Sequence, residues 1–262
     1  RGAVCVISGG AGELARGLAE QLIARHSARV LLVGRGAPGD ELREKLDAGK
    51  LQFGVFHGFE FAWMKQKTPA LEPLMIAAPQ HRPLRALVVV SLDSPVNSLA
   101  DLKGQVVAVP QGTREYTRLF LNRQCEALGK SPDAFFAQVA NPATPDDALH
   151  QVLDGKAVQA AIVDGGAYHG YAQRYSGRSK RLRVVVASDN FPEGVVAYRP
   201  GMIDEDTLRR FRQGMSTAHT TVMGRQLLSL MAMAGFQAVP PTYAQQLADV
   251  LKAYPPPADA AK

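Results

Sequence analysis

Thr113 and Arg114 stand where a strand should turn into a helix, and that junction concentrates the chain's most usable chemistry. The stretch Ser98–Phe120, SLADLKGQVVAVPQGTREYTRLF, reads as a short helix, a turn at Lys103-Gly104 and a buried strand over Gln105–Pro110. A turn at Gln111-Gly112 and a second helix starting near Thr113 follow. A strand that leaves through a glycine turn into a helix gathers free backbone N–H groups and the positive end of the helix dipole at one point. That point suits an anion. Thr113 adds a hydroxyl and Arg114 a forked cation there. The same residues also serve as an ordinary N-cap and a solvated surface charge.

Two further places offer polar groups. His57-Gly58-Phe59-Glu60 leaves an apolar run, Leu51–Phe56, and opens a helix over Phe61–Lys67. In open parallel sheets ligands collect at the carboxyl ends of the strands, so His57 and Glu60 are candidates to line a crevice, with Phe59 or Trp63 as its apolar wall. The competing reading makes Trp63 core, Glu60 a helix cap and His57 a turn residue. Asp164-Gly165-Gly166 follows the run Val158–Val163 and leads into another helix, a second site rich in backbone N–H groups.

The elements that must position these groups come from apolar patterning. The chain has 262 residues, 46% hydrophobic and 21% charged, an ordinary globular composition for one large domain or two of common size. The net charge is +6, but the basic residues are scattered, and Arg174–Arg183 lacks the aromatics of a base-stacking surface, so no nucleic-acid partner is expected. The two cysteines, Cys5 and Cys125, are far apart and read as buried thiols. No Cys/His pattern implies a metal. No apolar run is long enough to span a membrane. The chain begins at Arg1, so a removed signal peptide is expected.

Strand-like runs at 3–9, 30–33 and 51–56 alternate with helical patterns over Glu13–His26 and Gly39–Lys50, an order that implies parallel strands with right-handed crossovers. Leu84–Ser91 is a strongly β-branched strand. Helices are expected over Glu115–Leu128 and Asp146–Leu153, and strands around Phe136–Val139, Arg183–Ala187 and Gly194–Tyr198. Helices over Asp204–Val222, Arg225–Ala234 and Tyr243–Ala253 close the chain. A βαβ block recurs in each half, which gives two α/β lobes. Residues 1–90 with 190–262 form the first, and 91–189 form the second, inserted one.

Four segments carry a family resemblance. LREKLDAGKLQFGVFHGFEFAW (Leu42–Trp63), SLADLKGQVVAVPQGTREYT (Ser98–Thr117), DALHQVLDGKAVQAAIVDGGAY (Asp147–Tyr168) and VVAYRPGMIDEDTLRRFRQGM (Val195–Met215) resemble, in order and spacing, the phosphonate-type periplasmic substrate-binding proteins of ABC importers. The resemblance covers about Gly39 to Gly235. It implies a type 2 periplasmic-binding fold, α/β, with each lobe a mainly parallel sheet flanked by helices and a ligand cleft between lobes. It also implies hinge closure around a small anionic or zwitterionic solute, delivery to a membrane permease, a monomer outside the cytoplasm, and no cofactor or catalysis. It places four patches at the ligand: His57, Gly58, Phe59 and Glu60; Ser91; Gly112, Thr113, Arg114 and Tyr116; and Asp164 with Gly165. Asp164 matches the family's acid that accepts from an amine or a protonated oxyanion. The family's Ser-Thr-Ser triplet is here Gly112-Thr113-Arg114, and a frequent histidine before Asp147 is replaced by Thr144-Pro145.

A second resemblance points elsewhere. Residues 3–36 are similar to the NADP-binding start of short-chain reductases, with Gly9, Gly10 and Gly12 for the pyrophosphate and Arg35 for a 2′-phosphate. Such reductases use a Tyr with a Lys four residues later for proton transfer, and none of the chain's seven tyrosines has one. An NADP-binding reductase-like protein, or a ligand-sensing module without transport, is therefore the alternative to an importer component.

Overall fold

In the computed structural model the described residues are 4–8, 29–33, 53–154 and 157–256, the first two segments as backbone only. Two compact units emerge, one of Arg1–Gln80 with Pro192–Lys262 and one of His81–Phe191. The expected helices over Glu13–His26 and Gly39–Lys50 lie outside the described residues.

The first unit contains β1 (Val4–Ser8) and β2 (Arg29–Val33), paired in parallel. Its larger sheet has four strands in the order β11-β4-β10-β3. These are β3 (Phe53–Phe56), β4 (Glu72–Pro79), β10 (Gly194–Tyr198) and β11 (Met233–Gln237). Every pairing among these four is antiparallel, unlike the parallel β1–β2 pair of the same unit. The cause is the return of the chain: β10 enters from the far end of the sequence and inserts between β3 and β4. Helices α1 (Gly58–Lys67), α7 (Glu205–Ser216), α8 (Val222–Leu230) and α9 (Tyr243–Ala253) belong to this unit. Its core joins Phe53, Leu74, Met75, Val196 and Leu208, with Phe211 of α7 stacked on Phe53 at 4.4 Å. Burial of each such side chain is worth about 1.5–3 kcal/mol.

β4 and β11 are strands that the sequence pattern does not suggest. EPLMIAAP carries two prolines among residues that favour helix, and MAGFQ looks like the tail of the preceding helix. Pairing overrides those propensities: β4 is buried along Leu74–Ile76 between β10 and β11. The preceding helix stops instead at Leu230, followed by Ala232 in the left-handed region (φ 52°).

The second unit is built on five strands in the order β7-β6-β8-β5-β9. They are β5 (Ala86–Ser91), β6 (Val106–Ala108), β7 (Gln138–Ala140), β8 (Ala160–Asp164) and β9 (Leu182–Ala187). β7, β6 and β8 run parallel, as their helical crossovers require, while β5 is antiparallel to both neighbours. β5 is the apolar spine, with Val88, Val89 and Val90 fully buried. Helix α2 (Glu115–Ala127) buries Tyr116, Thr117, Phe120, Leu121 and Cys125 on one face, the spacing of an amphipathic helix. A short α3 (Pro132–Phe135), then α4 (Pro145–Asp154), α5 (Gly165–Arg174) and a short α6 (Ser176–Ser179) complete the unit.

Candidate functional site

Strand sense in the second unit decides which loops meet. β6, β7 and β8 are parallel, so their carboxyl ends share one edge of the sheet. Ala86 pairs with Asp164 and Leu87 with Ala187, so the start of β5 and the end of β9 lie at that edge too. It therefore gathers Pro110–Arg114, Asn141–Thr144, Asp164–Gly166, Pro83–Arg85 and Ser188–Phe191.

The β6–α2 turn is the best-formed part of this edge. Thr113 N–H donates to Pro110 O at 3.2 Å, and Gln111 N–H to Pro142 O at 2.9 Å. Gln111 Nε2 donates to Asn141 O at 3.1 Å, and Arg118 Nη2 to Pro110 O at 3.2 Å and Gln111 O at 3.3 Å. Thr113 is 3% exposed, and its hydroxyl has no hydrogen-bond partner among the described residues. Arg114, rather than Thr113, is the N-cap of α2, in extended backbone, and no side chain caps this helix end. Arg114 is exposed, and Gly112 has open space around the point where a side chain would begin.

Tyr116 is buried against Phe191, ring centroids 5.0 Å apart. Burial pushes its phenol well above the usual tyrosine range; the Asp164 charge adds to that rise and Arg114 opposes it. At neutral pH the phenol is protonated and can donate. Asp164 and Arg114 thus each act electrostatically on Tyr116.

Asp164 is half-buried and already has a structural role, since it caps α5 by accepting from Ala167 N–H at 2.9 Å through Oδ1. The Gly165 N–H donates to Arg85 O at 2.8 Å, which corrects the expectation that this amide is free for a ligand. Arg85 also bonds Asn190 at 2.6 Å, tying two loops of the edge together. Thr144 is used up as well: it and Asp147 cap the start of α4 reciprocally, Thr144 Oγ1 to Asp147 Oδ2 at 2.7 Å and Asp147 N–H to Thr144 Oγ1 at 3.1 Å.

Ser91 does not belong with these groups. It ends β5 opposite Leu182, at the other edge of the sheet. Arg183 serves that edge, donating to Ser94 O at 2.7 Å and Val96 O at 2.6 Å.

In the first unit the four residues His57–Glu60 form the start of α1. His57 is its N-cap, and its N–H donates to a Glu60 carboxylate oxygen at 3.1 Å, so Glu60 acts as the helix cap. Gly58 is fixed by packing: a Cβ there would sit 2.3 Å from Pro192 O and 2.6 Å from Glu193 O. Phe59 is 3% exposed and meets Trp63 edge-on at 5.1 Å, so it is core and not an exposed wall. Trp63 is pinned by its indole N–H donating to Tyr254 O at 2.8 Å. His57 stacks parallel to Phe59 at 5.8 Å and is the polar side chain of this group that stays partly exposed beside Glu60.

Gly9, Gly10, Gly12 and Arg35, the alternative nucleotide site, lie outside the described residues. Among the described residues no group of three or more His, Cys, Asp or Glu is placed to hold a metal ion. No described helix is long and apolar enough to cross a membrane.

The sequence profile of the family described as "ABC transporter, phosphonate, periplasmic substrate-binding protein" matches residues 37–242, well over half of the chain. The chain belongs to that family. Its work is that of a solute-binding component that operates outside the cytoplasm with the membrane parts of an ABC transporter, and it is not an enzyme. No curated protein matches it in sequence. Solved structures agree on the two-lobe, type 2 periplasmic-binding fold. XAC2383 from Xanthomonas citri bound to ATP aligns with TM-score 0.64 at 16% identity, over 96% of this chain and 97% of that one. PhnD1 from Prochlorococcus marinus in complex with methylphosphonate gives 0.60 at 10% identity, over 95% and 97%. The binding-protein component of an ABC phosphonate transporter from Pseudomonas aeruginosa gives 0.58 at 12%, over 95% and 86%. Arg118 is the residue of this turn that sequence reasoning misses. Its place one turn after Arg114 on α2, facing back to the turn, is the available signal.

Proposed function

We propose that this family member captures a small anionic or zwitterionic solute of the phosphonate or phosphate class and closes about a hinge to deliver it to a permease, acting as a monomer. The observation that carries the reading is the Thr113 hydroxyl, buried and unpartnered among the described residues, beside a 13-residue helix whose N-terminus no side chain caps. An oxyanion supplies what both lack: an acceptor for the hydroxyl and negative charge for the helix end. The protonated Tyr116 phenol would be a further donor. Arg114 and Asp164, opposite charges that both act on Tyr116, suit a solute carrying an anionic head and an ammonium group.

Thermal-shift and calorimetric titration of the full chain test this. The probes are methylphosphonate, an aminoalkylphosphonate, phosphate, sulfate, an alkylsulfonate, ATP and NADPH. A ligand at 100 times its Kd should add about 2.7 kcal/mol of stability. A shift with one phosphonate or phosphate-like anion, with a smaller radius of gyration in scattering, is expected. Stabilisation by NADPH and by none of the small anions would overturn the reading.

A further inference from the structure

Arg118 is the side chain that fastens the turn to which the proposed function assigns the oxyanion. One of its guanidinium nitrogens, Nη2, donates to both Pro110 O and Gln111 O, at 3.2 and 3.3 Å. Pro110 O accepts a second bond from Thr113 N–H, and Gln111 is held from the opposite side by Pro142 O and Asn141 O. The turn is therefore tied to its own helix through Arg118 and to the β7–α4 loop through Gln111. Two consecutive carbonyl oxygens in such a turn carry partial negative charge, and a cation bonded to both offsets that charge. Arg118 is half-buried and already ordered by these bonds, whereas Arg114 is exposed and must be immobilised on binding.

We propose that Arg118 is a positioning residue of the solute-binding turn: it holds Gly112, Thr113 and the uncapped start of α2 in the geometry that receives an oxyanion. The inference rests on the proposed function. Because Nη2 alone makes both bonds, a lysine ammonium can replace it in kind, while methionine keeps the length and removes the donors.

The experiment compares wild type, Arg118→Met and Arg118→Lys, each as the full chain. Amide hydrogen exchange across Gln111–Thr117 is measured without ligand, and methylphosphonate affinity by calorimetry. Arg118→Met should speed exchange at Gln111 and Thr113, whose N–H groups are bonded to Pro142 O and Pro110 O, by roughly tenfold or more, and should weaken methylphosphonate by about fivefold or more. Arg118→Lys should restore most of both. Unchanged exchange in Arg118→Met overturns the proposal. So does equal loss in Met and Lys variants with a matching fall in ligand-free Tm, which would mean packing and not donation. If wild type binds none of the oxyanions, the solute reading fails and the binding role of Arg118 with it; a tenfold faster exchange in Arg118→Met would then leave only a structural clamp.

Discussion

Ser91 and Asp164 sit at opposite edges of one sheet. Asp164 pairs with Ala86 at the start of β5, whereas Ser91 ends the same strand, beyond its last contact with β8. Five residues of strand separate the two positions, roughly 16 Å at about 3.3 Å per residue. The family resemblance expects both at the ligand, and one solute of a few atoms cannot reach both within this unit. Ser91→Ala should leave solute affinity within about twofold, since it removes no group from the edge that carries Thr113. Asp164→Asn keeps a capping oxygen for Ala167 N–H but loses the charge, so it should weaken an aminoalkylphosphonate about tenfold and spare methylphosphonate. Calorimetry on the two variants decides; a tenfold loss in Ser91→Ala would put the site at the other edge.

Thr113→Val should move stability and binding in opposite directions. The buried hydroxyl has no partner among the described residues, so replacing it with a methyl of the same shape should raise stability by about 1 kcal/mol. The same change removes a donor from the oxyanion and should weaken it by about tenfold. Urea unfolding and calorimetry check the pair. A loss of stability on making valine would mean that the hydroxyl is satisfied within the fold.

Gly58 is a structural residue of the first unit. Its Cβ position lies 2.3 Å from the Pro192 carbonyl oxygen, inside any allowed contact, and the obstacle is backbone. Gly58→Ala should cost about 1–3 kcal/mol through displacement of the start of α1 or of the returning chain before β10. Thermal unfolding measures it, and a Tm equal to wild type would remove the close approach.

Alkaline pH should destabilise the protein through Cys125. Burial, with a smaller push from Glu126, raises this fully buried thiol to about 11. Its folded pKa exceeds the unfolded value of about 8.5, so the stability it lends is complete below that pH and is lost as pH rises toward 11. The loss attributable to the thiol is of order 2–3 kcal/mol. Buried Tyr116 and Tyr243, both raised, drive the same trend at higher pH. Urea midpoints of wild type and Cys125→Ala at pH 8 and 10.5 should converge; parallel falls would clear Cys125.

The sequence alone determined the local chemistry of this protein. Val88–Val90 is β-branched and must be buried strand, and the glycine turn after β6 must present backbone donors at the start of α2. β10 and α9 have the limits that the pattern spells, because apolar periodicity and flanking turn residues act within a few residues of one another. The order of whole segments sufficed for the family.

Tertiary structure decided the rest, because strand sense, sheet edge and burial depend on partners far away in the chain. β4 is a strand because β10, more than a hundred residues later, pairs with it. Glu60 and Gly165 look available in sequence, yet their hydrogen-bonding groups are taken by the His57 N–H and Arg85 O. Phe59 looks like a pocket wall and is core, held against Trp63. Arg114 and Arg118 are two arginines one turn apart, and only the folded turn, with its carbonyls brought back over α2, tells the exposed one from the one that is bonded.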